Sequence, residues 1–142
     1  MSSDPTAIVI PTDLLPADGR FGCGPSNPEG LRIKSHPTAE DPEAEVVCTW
    51  TPQPHHEAFE GVLNGGIIGA LLDCHSNWTA AWVLMHRQGA ESPPCTVTAE
   101  FRVRMRRPTP MDRPLRLTAR PVSCEGSRVE VYAELAAGEQ VT

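Results

Sequence analysis

The rhythm of apolar and polar positions divides the chain into segments. Residues 1–30 show no period, carry Pro or Gly every few positions, and read as irregular. Leu31–Ser35 and Glu45–Trp50 alternate apolar with polar side chains, the pattern of short strands. A Pro-rich loop, Thr51–Leu63, follows. From Gly65 the spacing turns helical and stays so to Arg87, about 34 Å at 1.5 Å per residue, so the pattern predicts one long helix over about 65–88. Asn64 stands where an N-cap is wanted, His86 and Arg87 suit the negative end of the helix dipole, and Gly89 suits the C-cap. The first half (Ile67, Ile68, Ala70, Leu71, Leu72, Cys74) is apolar almost all round, as in a helix covered on most sides.

Period two returns after the helix. Thr96–Arg107 sets Val97, Ala99, Phe101, Val103 and Met105 against Thr98, Glu100, Arg102, Arg104 and Arg106. Leu115–Arg120 and Arg128–Leu135 repeat the scheme, with turns at Pro108–Pro114 and Glu125–Ser127, so a meander with one wet face is expected. Two strands, one buried helix and several antiparallel strands make an α+β domain whose sheet wraps a central helix. At 142 residues the chain is expected to be a single domain, 1–142. Because Gln140–Thr142 follow the Gly138 turn, where another strand is due, the last strand is expected to run beyond Thr142.

Composition narrows the setting. Of the 15 prolines, none lies between His55 and Ser92, which leaves room for the helix. The net charge of −6 argues against a general nucleic-acid binder. Yet residues 102–128 hold eight arginines against two acids, a local basic stretch suited to a phosphorylated ligand. No run reaches the ~20 apolar residues of a membrane span and no basic-then-apolar leader opens the chain, so a cytoplasmic protein without membrane contact is expected. The five cysteines include no CxxC pair and read as small apolar residues in a reducing compartment.

The candidate chemistry begins with Asp73, a carboxylate in the apolar half of the helix, where an unpaired charge is costly. It either faces a solvated groove or bonds Asn77 one turn on, or it serves as general base or nucleophile. Gly65–Gly66 at the helix start are either ordinary loop-to-helix glycines or backbone donors for a carbonyl oxygen gaining charge. Asp73 lies about 12 Å along the axis from Gly65 and does not reach a carbonyl held at its own helix start. If both act on one substrate, a second chain must lay its helix alongside, antiparallel, and the pair predicts a dimer with two shared sites. His75 lies about 200° around the helix from Asp73, so no metal is expected between them. The run Gly22-Cys-Gly-Pro-Ser-Asn27 lacks the third glycine of a dinucleotide fingerprint, and no GxSxG elbow occurs.

Phe21-Gly-Cys-Gly-Pro-Ser-Asn-Pro-Glu-Gly-Leu31 together with Gly61-Val-Leu-Asn-Gly-Gly-Ile-Ile-Gly-Ala-Leu-Leu-Asp73 resembles the hotdog-fold acyl-CoA thioesterases of the PaaI (phenylacetate-pathway) type, over roughly 21–135. The resemblance implies a long antiparallel sheet around the helix, subunits joined sheet to sheet as a homodimer or tetramer, an acyl-CoA or acyl-carrier thioester as substrate, and no cofactor. It implies that the Gly66 amide polarises the thioester carbonyl and that Asp73 of the partner subunit activates water or attacks. Thr98 aligns with a hydroxyl that assists the helix carboxylate, or is a polar-face strand residue. Arg106 and Arg107 meet the nucleotide phosphates of CoA, or are solvated edge charges. Family members usually have His-Gly-Gly where this chain has Asn64-Gly65-Gly66; Asn64 caps and fixes the loop but does not titrate. A water-orienting Asn of relatives is replaced by Ala58, with His55, His56 or Glu57 as possible stand-ins or plain loop residues. Trp78, Trp82 and Phe59 either line an acyl pocket or fill the core. Two other readings remain: a non-catalytic acyl-thioester-binding protein, and a hotdog dehydratase, which generally needs a His where Asn64 stands.

Overall fold

A computed structural model describes Gly22, residues 27–91 and residues 93–142. The first resemblance motif and the irregular reading of 1–30 therefore lie largely outside the described residues. Five strands, β1 (His36–Pro37), β2 (Val46–Trp50), β3 (Leu115–Glu125), β4 (Arg128–Ala137) and β5 (Gln140–Val141), form one open sheet in the order β1-β2-β3-β4-β5, every neighbour antiparallel. One helix, α1 (Gly65–Gln88), packs on β3 and β4.

Helix α1 has both ends capped as its sequence predicts. The Asn64 side chain accepts from the amides of Gly66 and Ile67. Gly89 takes a left-handed conformation (φ 63°), and the amides of Gly89 and Ala90 turn back to His86 and Met85, the paired bonds of a Schellman motif. The sheet side of the helix sends Ile68, Leu71, Trp78 and Trp82 into the core. There they meet Val46, Cys48 and Trp50 of β2, which pair in register with Ala119, Leu117 and Leu115 of β3. Trp78 and Trp82 are thus core residues, and Trp82 donates its indole N–H to the Asp41 carbonyl at 2.9 Å. Burial pushes the Cys48 thiol up to about 11, so it fills space and is not a nucleophile. Cys48, Cys74, Cys95 and Cys124 are unbridged. No helix among the described residues is long and apolar enough to cross a membrane.

Strands β3 and β4 are longer than their patterns imply. β3 runs on to Glu125 through a register shift between Pro121 and Ser123, where proline has no N–H to give the ladder. After the Gly138 turn β5 begins at Gln140, where a strand is due.

Two expected strands are absent. Leu31–Ser35 keeps its alternation, with Leu31, Ile33 and Ser35 buried, but pairing begins only at His36. Arg32 has φ 54°, a left-handed backbone that no ladder accommodates. Thr96–Arg107 forms no strand either. Its apolar face is exposed, Val97 at 86% and Met105 at 51%, and among the described residues no strand lies beside it. Only its end is tied to the sheet side of the fold: the amides of Arg106 and Arg107 donate to the Thr142 carbonyl, and Thr142 in turn donates its amide to Leu135. The meander is therefore β3-β4-β5, and 96–107 lies outside it along α1.

Candidate active site

The loop before α1 is folded tightly enough to fix the helix start. Gly61 (φ 78°) turns the chain, its amide donating to the Glu57 carboxylate at 2.7 Å. The Ala58 amide donates to the Val62 carbonyl and the Leu63 amide to that of Thr109. The Asn64 amide then donates to the His56 carbonyl at 2.9 Å. The His56 ring is buried between Trp50 and His55, and its Nδ1 accepts the Gln53 amide at 2.9 Å. Burial first, and then the neighbouring His55, lowers its proton affinity. His56 thus holds Asn64 by its backbone, and its ring, offered by the sequence as a stand-in for the water-orienting Asn that contacts substrate or as a plain loop residue, is buried. Phe59, at 80% exposure, stands away from the core.

At the helix start the Asn64 Oδ1 accepts the Gly66 amide at 2.7 Å and the Ile67 amide at 3.2 Å. The donor expected to meet a substrate carbonyl is thus capped by a neutral side-chain carbonyl. A Cβ at position 66 would stand 3.0 Å from that oxygen, so glycine is what lets the cap approach. At position 65 the neighbour is Met105, whose Sδ and Cε lie 3.4 Å from where a Cβ would be.

Two turns on, α1 presents different chemistry on opposite sides. His75 points into the core, where its Nε2 donates to the Val46 carbonyl at 2.9 Å. Its Nδ1 therefore accepts the Ser35 hydroxyl at 2.8 Å, and burial keeps the ring neutral, its pKa lowered to about 4. Asp73 looks the other way, toward 96–107. The Thr98 hydroxyl donates to Asp73 Oδ1 at 2.5 Å, and Asn77 Nδ2 donates to Thr98 Oγ1 at 3.0 Å. The Thr96 hydroxyl donates to Asn77 Oδ1. Asp73 therefore reaches Asn77 through Thr98. The sequence carried a partial signal for this cluster, two threonines on one face of an alternating segment and an Asn one turn from the Asp, but not their meeting.

The structure brings Asp73 and Thr98 into contact, and Asn64, Gly65 and Gly66 into one helix start. It leaves Asp73 about 12 Å along the helix from Gly65, as the spacing requires. Arg106 and Arg107 lie exposed at the end of the segment that runs along the helix. Among the described residues no group of three or more His, Cys, Asp or Glu side chains is placed to hold a metal ion.

Comparison with known proteins bears on this arrangement. Residues 60–142 match the model of the thioesterase superfamily. Protein RHA08564, a thioesterase superfamily protein of known structure, superimposes with a TM-score of 0.67 and 27% identity over 83% of this chain and 55% of its own. A thioesterase superfamily protein from Shewanella loihica PV-4 gives 0.59 and 30% identity over 73% and 79%. AziG from S. sahachiroi, at 19% identity and a TM-score of 0.63, shares the fold. A 34-residue stretch is 65% identical to part of the phosphoserine aminotransferases of Rhodococcus opacus (strain B4) and Rhodococcus jostii (strain RHA1). It spans 22% of this chain and 8% of theirs, too short a piece to carry their fold or activity. With the matched region running from the loop before α1 through β5, and the long helix laid on an antiparallel sheet, this chain belongs to the thioesterase superfamily and has its hotdog fold.

Proposed function

We propose that the chain is an acyl-CoA thioesterase of the PaaI type that works as a homodimer. The observation that carries the reading is Asp73, a half-buried carboxylate on the helix with one oxygen held by the Thr98 hydroxyl. The Gly66 amide of one subunit receives the thioester carbonyl, displacing Asn64 Oδ1. In the ground state one neutral carbonyl replaces another. As the carbonyl becomes an oxyanion, its bond to the amide strengthens, and stabilisation is concentrated in the transition state. Asp73 of the partner subunit takes a proton from water while the hydroxide oxygen bonds to the carbonyl carbon. The tetrahedral intermediate collapses by breaking the C–S bond, and the leaving thiolate takes the proton back from Asp73. The products are a carboxylic acid and free CoA. Arg106 and Arg107 offer guanidinium groups to the nucleotide phosphates.

Free-thiol release from short, long and aromatic acyl-CoAs, with wild type and Asp73→Ala side by side, tests this. Wild type releases CoA, and Asp73→Ala lowers kcat by about 100-fold or more while remaining a folded dimer. A variant within about threefold of wild type removes Asp73 from the mechanism. The Asn64 cap on Gly66 favours a second reading, acyl-thioester binding without hydrolysis; tight binding with no release from any substrate would establish it.

A further inference from the structure

We infer that Asn77, which lies outside the reacting groups, is a positioning residue that sets the direction of the Thr98 hydroxyl toward Asp73; this rests on the general-base reading of Asp73. A threonine hydroxyl has one proton and rotates freely, so its contact with a carboxylate is productive only when the proton points that way. Asn77 removes the freedom. Its Nδ2 donates to Thr98 Oγ1 at 3.0 Å, which makes that oxygen an acceptor on one side and leaves its proton for Asp73 Oδ1 at 2.5 Å.

The amide itself would be ambiguous, since a flipped side chain would present oxygen to Thr98 and take the proton away from Asp73. The carboxylate resolves this. Asp73 Oδ1 only accepts, so the Thr98 hydroxyl donates to it and its oxygen is left to accept, which puts the Asn77 NH2 on the Thr98 side and Oδ1 toward the Thr96 hydroxyl. The result is a one-way chain, Thr96 to Asn77 to Thr98 to Asp73, with every proton directed at the carboxylate. The geometry joins two helix residues one turn apart, Asp73 and Asn77, to two alternate residues of the extended segment, Thr96 and Thr98, so one face of each element supplies the chain.

Fixing the hydroxyl on Oδ1 holds the carboxylate plane and leaves Oδ2 as the basic oxygen facing water. That is an effect on orientation in the chemical step and not on substrate affinity. Loss of the Asn77 donor should therefore lower kcat and spare KM.

The test is a double-mutant cycle of Asn77→Ala and Thr98→Ala on thioester hydrolysis, with thermal unfolding measured on each variant. Asn77→Ala lowers kcat about tenfold, with KM within about twofold of wild type. In the Thr98→Ala background the same change has no further effect, because Asn77 acts through Thr98. Asn77→Asp keeps the shape of the side chain, lacks the donor, and gives a loss at least as large, which guards against a packing effect of alanine. An additive cycle, or an Asn77→Asp enzyme with wild-type kcat, overturns the proposal. NMR of the Asn77 side-chain amide protons reads the same contact without turnover. Thr98→Ala shifts the Nδ2 proton that donates to Thr98 Oγ1, and amide signals unchanged by that substitution overturn the chain. Absence of hydrolysis by wild type would defeat the thioesterase reading while the amide signals still decide the contact of Asn77 with Thr98.

Discussion

Residues 96–107 and β4 carry the same alternation of apolar and polar side chains, yet only β4 is a strand. β4 is brought back on β3 by the Glu125–Ser127 turn, with Gly126 at φ 60°, and its ladder closes within a few residues. Its inward residues, Leu135 and Ala137, are buried under α1. Residues 96–107 lie between Pro93–Pro94 and Pro108 and have no hairpin partner among the described residues. They touch α1 through Thr96, Thr98, Phe101 and Met105 and keep much of their apolar face in water. Alternation reports which face of a segment is apolar. It does not say which strand, or which copy of the chain, will cover that face.

The β3–β4 hairpin is the more sensitive of the two regions. Leu117, fully buried on β3 between its partners Cys48 and Leu135, has no room to be replaced by solvent. Leu117→Ala should cost about 2–5 kcal/mol, read as a lower urea midpoint at unchanged m-value.

A second effect, smaller and dependent on pH, comes from the sheet side of α1. His75 is held neutral, with a pKa lowered from 6.5 to about 4, by burial first, against a favourable bond to Val46 and with a smaller push from His36. The unfolded chain therefore binds the extra proton between these values and the native state does not. The stability from neutral His75 is complete above pH 6.5 and is lost as pH falls through about 4, an effect of at most ~3 kcal/mol at 1.36 kcal/mol per unit. His56, lowered as well, adds in the same direction. Unfolding free energies from pH 7 to 4 should fall, and His75→Asn should remove most of the slope; a flat wild-type profile would exclude the linkage.

If the face of 96–107 is covered by a second copy, Val97→Asp, at a side chain 86% exposed in the protomer, should weaken dimerisation at least about tenfold, or 1.4 kcal/mol, while the unfolding of each protomer is little changed. Sedimentation velocity against concentration measures it. An undiminished dimer would place the interface elsewhere.

Much of the fold was legible because it rests on local rules. The helix from Gly65 to Gln88, its Asn64 and Gly89 caps, the turn at Glu125–Ser127 and the alternation of β2, β3 and β4 all follow from periodicity and backbone preference over a few residues. The sequence by itself also determined that Asp73 and His75 face apart, since 200° of helix separates them. Tertiary structure alone decided the rest. Whether 96–107 pairs depends on a neighbour it does not encode. The meeting of Thr96, Thr98, Asp73 and Asn77 depends on how that segment lies along α1. A pattern constrains one chain segment against solvent, whereas contacts between segments far apart in sequence are selected by packing and hydrogen bonding of the whole fold.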